Sequence, residues 1–277
     1  MWRFTLAAAL LVAASPLCAD EPKETLAKAQ AAFKEKKYDA ALNYINEAIA
    51  ADGKSAEAHY IRGLIHMEQR AFDKAVADFS KTYELDAKAA IAFDQRGIAY
   101  FKMAKIKESL ADFDKFIELT PKAAAAHWRR GLTLYYADEF AKGVAQFTTS
   151  DKEEPNDVEN AVWHFLCNAR VLGLEKARGE FLKVKNDPRG QYMMKIHEMF
   201  NGTAKPADVF TAAEAGKAND DLRKEQRFYA NYYVGMYYEA VGEPKKSLEH
   251  LKTAVEKYPI GHYMMDVARV HIKLRDK

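Results

Sequence analysis

The chain has 277 residues, of which 49% are hydrophobic and 30% charged, a balance that excludes wholesale disorder. Its 42 basic and 40 acidic residues leave a net charge of +2, which gives no reason to expect nucleic acid or an anionic surface as the main partner. The two cysteines, Cys18 and Cys167, are too few for a disulfide framework.

The N-terminus has the pattern of a signal peptide over residues 1–19. Arg3 supplies a positive start, Phe4–Ala14 is an apolar run, and Ser15-Pro16 precedes a cleavage position at Ala19. The run is too short to span a bilayer, which needs about 20 apolar residues. Export, to a periplasm or to the outside, is therefore expected. Cys18 follows bulky Leu17, which departs from the small residues that precede a lipidated cysteine, so membrane anchoring is not expected unless Cys18 is acylated. Cleavage after Ala19 leaves Cys167 alone, in an apolar helical pattern that places it in a core.

From residue 22 the chain repeats. Arg62-Gly63, Arg96-Gly97 and Arg130-Gly131 recur at 34 residues, and so do Phe79, Phe113 and Phe147. With Ala56, Ala90 and Ala124 as first positions, the twentieth position is Ala75, Ser109 and Gly143. The thirty-second is Ala87, Pro121 and Pro155. Small residues at two columns let paired helices approach, and proline ends the second helix because it lacks the N–H the ladder needs. Extending the frame backward adds a weaker first repeat, so residues 22–157 hold four helical hairpins. These columns resemble the tetratricopeptide repeat (TPR), which implies an all-α solenoid of antiparallel hairpins that binds other proteins.

Residues 158–227 keep helical periodicity but lose the columns, and read as degenerate hairpins. Val158–Leu172 and Glu175–Val184 are expected helices, followed by the breaker Asn186-Asp187-Pro188-Arg189-Gly190. Gln191–Phe200 and Val209–Gly216 are two more. A late repeat spans 228–261, with Gly235, Leu251 and Pro259 in register. Residues 262–277 form a capping helix with Met264, Val267, Val270 and Leu274 at helical spacing.

In the TPR family, positions 5, 9 and 12 of each first helix face a concave groove. Here they are Tyr60, Leu64 and Met67, then Asp94, Ile98 and Phe101, then Trp128, Leu132 and Tyr135. Such an apolar, aromatic lining suits a protein or peptide partner. The alternative is that the chain's own tail or middle fills the groove. The lysines and asparagines of carboxylate-clamp repeats are replaced by Tyr60, Leu64, Gln95 and Ala125, leaving Arg129 alone to suit an anion. The Arg62 and Arg96 guanidinium groups are expected to pair with Asp78 and Asp112, sixteen residues on. Gln146 stands at that position after Arg130, which leaves Arg130 without this carboxylate and available to a partner. No metal-binding, phosphate-cradling or nucleophile motif is present, so neither a cofactor nor catalysis is expected.

From Arg130-Gly131 through Leu134-Tyr135-Tyr136, Pro155-Asn156-Asp157 and Trp163, the chain also resembles the new lipoprotein I type of periplasmic TPR protein. That resemblance implies an envelope adaptor, often a homodimer, that brings clients to proteases or murein hydrolases. A permanent structural scaffold in envelope or secretion-complex assembly is the alternative.

Overall fold

The computed structural model describes residues 21–276, so the signal-peptide reading and Cys18 lie outside them. Among the described residues the fold is all-α, with no strand. They divide at Asp86 and Ala87 into two compact units. No helix among them is long and apolar enough to cross a membrane.

The first unit holds two hairpins, α1 (Glu21–Lys34) with α2 (Tyr38–Ala51) and α3 (Ala56–Glu68) with α4 (Phe72–Leu85). Ser55 caps α3 by accepting the Ala58 N–H at 3.2 Å, satisfying one donor that the first helical turn leaves orphaned. The core of this unit is aliphatic, built on Ala29, Ile45, Ile61 and Ile65.

The second unit begins with α5 (Ile91–Lys102), α6 (Ile106–Leu119), α7 (Trp128–Tyr136) and α8 (Phe140–Glu153). The irregular section follows as α9 (Val158–Leu172), α10 (Leu174–Gly179), α11 (Gln191–Asn201) and α12 (Pro206–Glu214). The unit closes with α13 (Asp220–Ala240), α14 (Pro244–Lys257) and α15 (Tyr263–Arg275). Two expectations are corrected here. The helix expected over Glu175–Val184 ends at Gly179, and Phe181 and Val184 are buried from non-helical chain instead. The first helix of the late hairpin starts at Asp220 rather than near Phe228, because Asn219 caps it by accepting the Leu222 N–H at 2.8 Å.

One turn geometry joins the two helices of each regular hairpin. Lys36, Arg70, Ala104 and Asp138, again 34 apart, all have φ between 58° and 63°. The residue after each donates its N–H five residues back: Lys37 to Ala32, Ala71 to His66, Lys105 to Tyr100 and Glu139 to Leu134, at 2.8 to 3.0 Å. This is the Schellman closure of a helix C-terminus, in which a left-handed residue lets the chain reverse and satisfies the last carbonyls. The late hairpin has a glycine, Gly242, at that position, and so does the turn between α11 and α12, at Gly202.

The glycine column faces the phenylalanine column of its own hairpin. A Cβ on Gly63, Gly97 or Gly131 would lie 2.6, 2.7 or 2.6 Å from the ring of Phe79, Phe113 or Phe147 respectively. The ring thus occupies the volume a side chain would need, and each Phe is fully or almost fully buried. In the late hairpin Leu251 takes the place of the ring, 2.8 Å from the same virtual atom on Gly235.

Candidate partner-binding groove

The first-helix positions behave differently in the two units. On α3, Tyr60 and Leu64 remain partly exposed while Met67 is buried, and the Tyr60 ring lies 5.8 Å from Phe79. In the second unit Phe101, Leu132 and Tyr135 are all buried, at 0%, 1% and 2% exposure.

Phe101 is covered by the chain's own C-terminal helix, and Tyr135 by α9, where Trp163 meets it edge-on with centroids 5.2 Å apart. Tyr263, at the start of α15, stacks on Phe101 with centroids 5.7 Å apart and meets Trp128 edge-on at 5.2 Å. The Arg129 guanidinium lies over both rings, 4.7 Å from Trp128 and 5.4 Å from Tyr263. Further along, Asp266 pairs with Lys102 of α5 at 3.0 Å, and the Lys273 ammonium donates to the Met103 carbonyl at 3.0 Å. Near the end of α15, His271 Nδ1 lies 3.2 Å from the Tyr136 hydroxyl.

Glu239 of α13 joins these elements. It accepts the Tyr135 hydroxyl at 3.1 Å and the Arg275 Nε–H at 3.0 Å, and lies 3.4 Å from His271 Nε2. Burial pushes the His271 imidazole down to about 4, with Glu239 opposing and Arg275 adding to the shift, so the ring is neutral at pH 7. Burial likewise raises the Tyr135 and Tyr136 phenols well above their ordinary range, so both remain protonated hydrogen-bond donors.

Met264, Met265, Val267 and Val270 of α15 are each 3% exposed or less. Burying four such side chains stabilises by about 6–12 kcal/mol, comparable to the roughly 8 kcal/mol of a micromolar complex. A peptide competing for this surface would have to spend all of its own binding energy on displacing α15. Phe101, Leu132 and Tyr135 are therefore core, and of the two sequence-based alternatives the filled groove is the one this unit adopts. Trp128 and Arg129 are half-buried at its margin. Nothing in the tail's periodicity distinguished an outward cap from a helix laid against α5 and α7, and Glu239 carried no motif at all.

The arginine column is structural. Arg62 reaches Asp78 through Nε and Nη2, at 2.7 to 3.1 Å, and donates from Nη1 to Asn46 at 2.9 Å. Arg96 forks onto Asp112 at 2.7 and 2.8 Å. The expectation that Arg130 lacks a carboxylate is corrected. It donates forward to Gln146 Oε1 at 3.0 Å and backward to Asp114 at 2.6 Å, so the acid has moved to the preceding helix. Asp94, the one charge among the groove positions, is also internal, 2.9 Å from His127 Nε2.

Arg189 is a residue that sequence reasoning passed over as part of a breaker. It binds Asp157 at 2.6 Å, Asp187 at 2.6 to 2.9 Å, and Glu159. Asp187 in turn accepts the Val158 N–H at 3.0 Å, so the loop after α10 is tied to the N-terminus of α9.

A family model described as tetratricopeptide repeat matches residues 26–90 and 95–157. The chain is a tetratricopeptide-repeat protein. A TPR protein from Parabacteroides merdae ATCC 43184 superposes with a TM-score of 0.61 at 12% identity, over 94% of this chain and all of that one (100%). MamA 41-end from Desulfovibrio magneticus RS-1 gives 0.54 at 19% identity, over 58% of this chain and 92% of that one. A further MamA structure gives 0.55 at 16% identity, over 72% and 99%. At these identities the likeness is one of fold. No curated protein matches the chain in sequence. The TPR hairpins match α1 to α8, while α9 to α15 lie beyond the family model.

Proposed function

We propose that this TPR protein is an exported scaffold that holds a protein partner on the first-helix face of its N-terminal unit, acting as an adaptor for envelope proteases or hydrolases. The observation that carries the reading is the contrast between α3 and its counterparts. Tyr60 and Leu64 keep exposed surface at the family's ligand-facing positions, whereas the same positions on α5 and α7 are largely occupied by α15 or by internal pairs. An aromatic and an aliphatic side chain on adjacent helical turns suit the apolar face of a partner segment. Export rests on the apolar N-terminal run, and the adaptor role on the resemblance to the new lipoprotein I type.

The test is photo-crosslinking in cells from residue 64, compared between the wild-type chain and Tyr60→Ala. Capture of a protease or hydrolase from the envelope fraction, reduced by Tyr60→Ala at unchanged helical content, is expected. A stoichiometric membrane complex retained through purification would instead make the chain a permanent assembly component. A precursor that keeps its N-terminal segment and stays in the cytosol would refute export.

A further inference from the structure

On α3 the half-exposed side chains of Tyr60 and Leu64 stand between two exposed carboxylates, Glu57 and Glu68. Steps of three, four and four residues put all four on one face of the helix. At 1.5 Å per residue the two acids stand about 16 Å apart along it. The stripe thus reads acid, aromatic, aliphatic, acid.

Neither acid is neutralised within the fold. Glu57 accepts the Gln30 side-chain amide at 2.9 Å, and Glu68 accepts the Tyr38 hydroxyl at 3.3 Å. Both donors are neutral, and among the described residues no cation lies within ion-pair distance of either carboxylate. Three other exposed acids of this unit do have one: Glu24 pairs with Lys28 at 2.8 Å, Glu35 with Lys37 at 2.7 Å and Glu84 with Lys81 at 3.0 Å. Glu57, second in α3, at least complements the positive end of the helix. Glu68 is the last residue of α3, where the helix dipole favours a cation. In the same column α1 and α5 end on Lys34 and Lys102, so of these three first helices only α3 ends on an acid.

An apolar pair bracketed by unneutralised acids is complementary to a segment whose apolar pair is bracketed by bases. We propose that the α3 face takes an amphipathic helix of a partner protein with lysine or arginine at both ends of its apolar stripe. One base meets Glu57 and the other Glu68, while the apolar pair between them covers Tyr60 and Leu64. This inference rests on the reading above that a partner is held on this face, and adds the charge of that partner. On α1 the matching positions carry Lys23 and Lys34, so the acidic row is confined to α3 and the partner helix runs along it.

Three labelled helical peptides test this on the full chain by fluorescence anisotropy. They share a leucine and a phenylalanine one turn apart, and differ at the two flanking stripe positions, which hold lysine, glutamine or glutamate. At low salt the lysine peptide should bind about tenfold tighter than the glutamate peptide, with glutamine between, and high salt should narrow the gap. Glu57→Gln combined with Glu68→Gln should abolish that order at an unchanged melting temperature, because both side chains are exposed. Tyr60→Ala should weaken all three peptides alike. Equal affinities for the three peptides, or an order that survives the double substitution, would overturn the charge assignment while leaving the docking face standing. Affinities that Tyr60→Ala leaves unaltered, or no binding of any peptide, would overturn the docking face and the proposal with it.

Discussion

The Tyr263 ring lies stacked on Phe101, centroids 5.7 Å apart and planes 28° from parallel, joining the start of the last helix to the first helix of a hairpin much earlier in the chain. This contact turns a family ligand position into core. It also makes mutations at that position read out as stability rather than affinity.

Phe101→Ala should destabilise the second unit by about 3–5 kcal/mol, the usual cost of emptying a buried aromatic site. The double variant Trp128→Ala, Tyr135→Ala should likewise lose stability in urea. A double variant with wild-type stability and lost partner binding would show those rings to be an open surface after all.

The arginine column predicts an order of effects. Asp112 has a side chain 8% exposed and takes a forked pair from Arg96, so Asp112→Ala leaves a half-buried guanidinium short of its carboxylate. A loss of about 3 kcal/mol is expected. Asp114, 51% exposed, makes the equivalent pair with Arg130 in water, and Asp114→Ala should cost below about 1 kcal/mol. Urea midpoints of the two variants measure the difference.

Backbone and packing at the hairpins can be separated. Ala104 holds φ 63°, a conformation that costs an L-residue about 1–2 kcal/mol and glycine little. Ala104→Gly should therefore stabilise by about 0.5 kcal/mol after glycine's greater loss of chain entropy. Gly97→Ala places a methyl 2.7 Å from the Phe113 ring and should destabilise by about 1–3 kcal/mol. Phe113→Leu should recover part of that second loss, which a backbone effect would not allow.

His271 predicts an acid sensitivity. Its folded value of about 4 lies below the unfolded value near 6.5, so the unfolded chain binds the proton more readily. The contribution is fully present above pH 6.5 and is lost as pH falls towards 4, on the order of 3 kcal/mol in all. Burial lowers His66, His164 and His250 as well, in the same direction. Unfolding free energy measured between pH 7 and pH 4 should fall, and His271→Gln should flatten part of that slope. An unaltered slope would mean the ring does not stay neutral in the fold.

Different parts of the molecule were legible in the sequence to different degrees. Helix α9 runs over the residues its periodicity marked, because Asp157 caps it and Gly173 ends it by local rules. Helix α10 stops at Gly179, short of its apolar pattern, and Phe181 and Val184 are buried from the non-helical chain that leads to Asp187 and Arg189. The left-handed turn residues were invisible, since Lys36, Arg70, Ala104 and Asp138 share no residue type. Arg130 was misread because its acid lies sixteen residues before it rather than after.

By itself the sequence determined the hairpins. Their glycine, phenylalanine and arginine columns recur at 34 residues, and each column acts within a hairpin or on its immediate neighbour, so spacing alone exposes them. Only the tertiary structure decided which hairpins keep an open face. That depends on where α15 and Glu239 come to rest, and a helix's apolar stripe states that it must be covered without stating by what. Leu64 and Leu132 occupy the same column and are the same residue type. They differ because Leu132 is closed in beside Met264 of the distant α15, while Leu64 stays partly exposed.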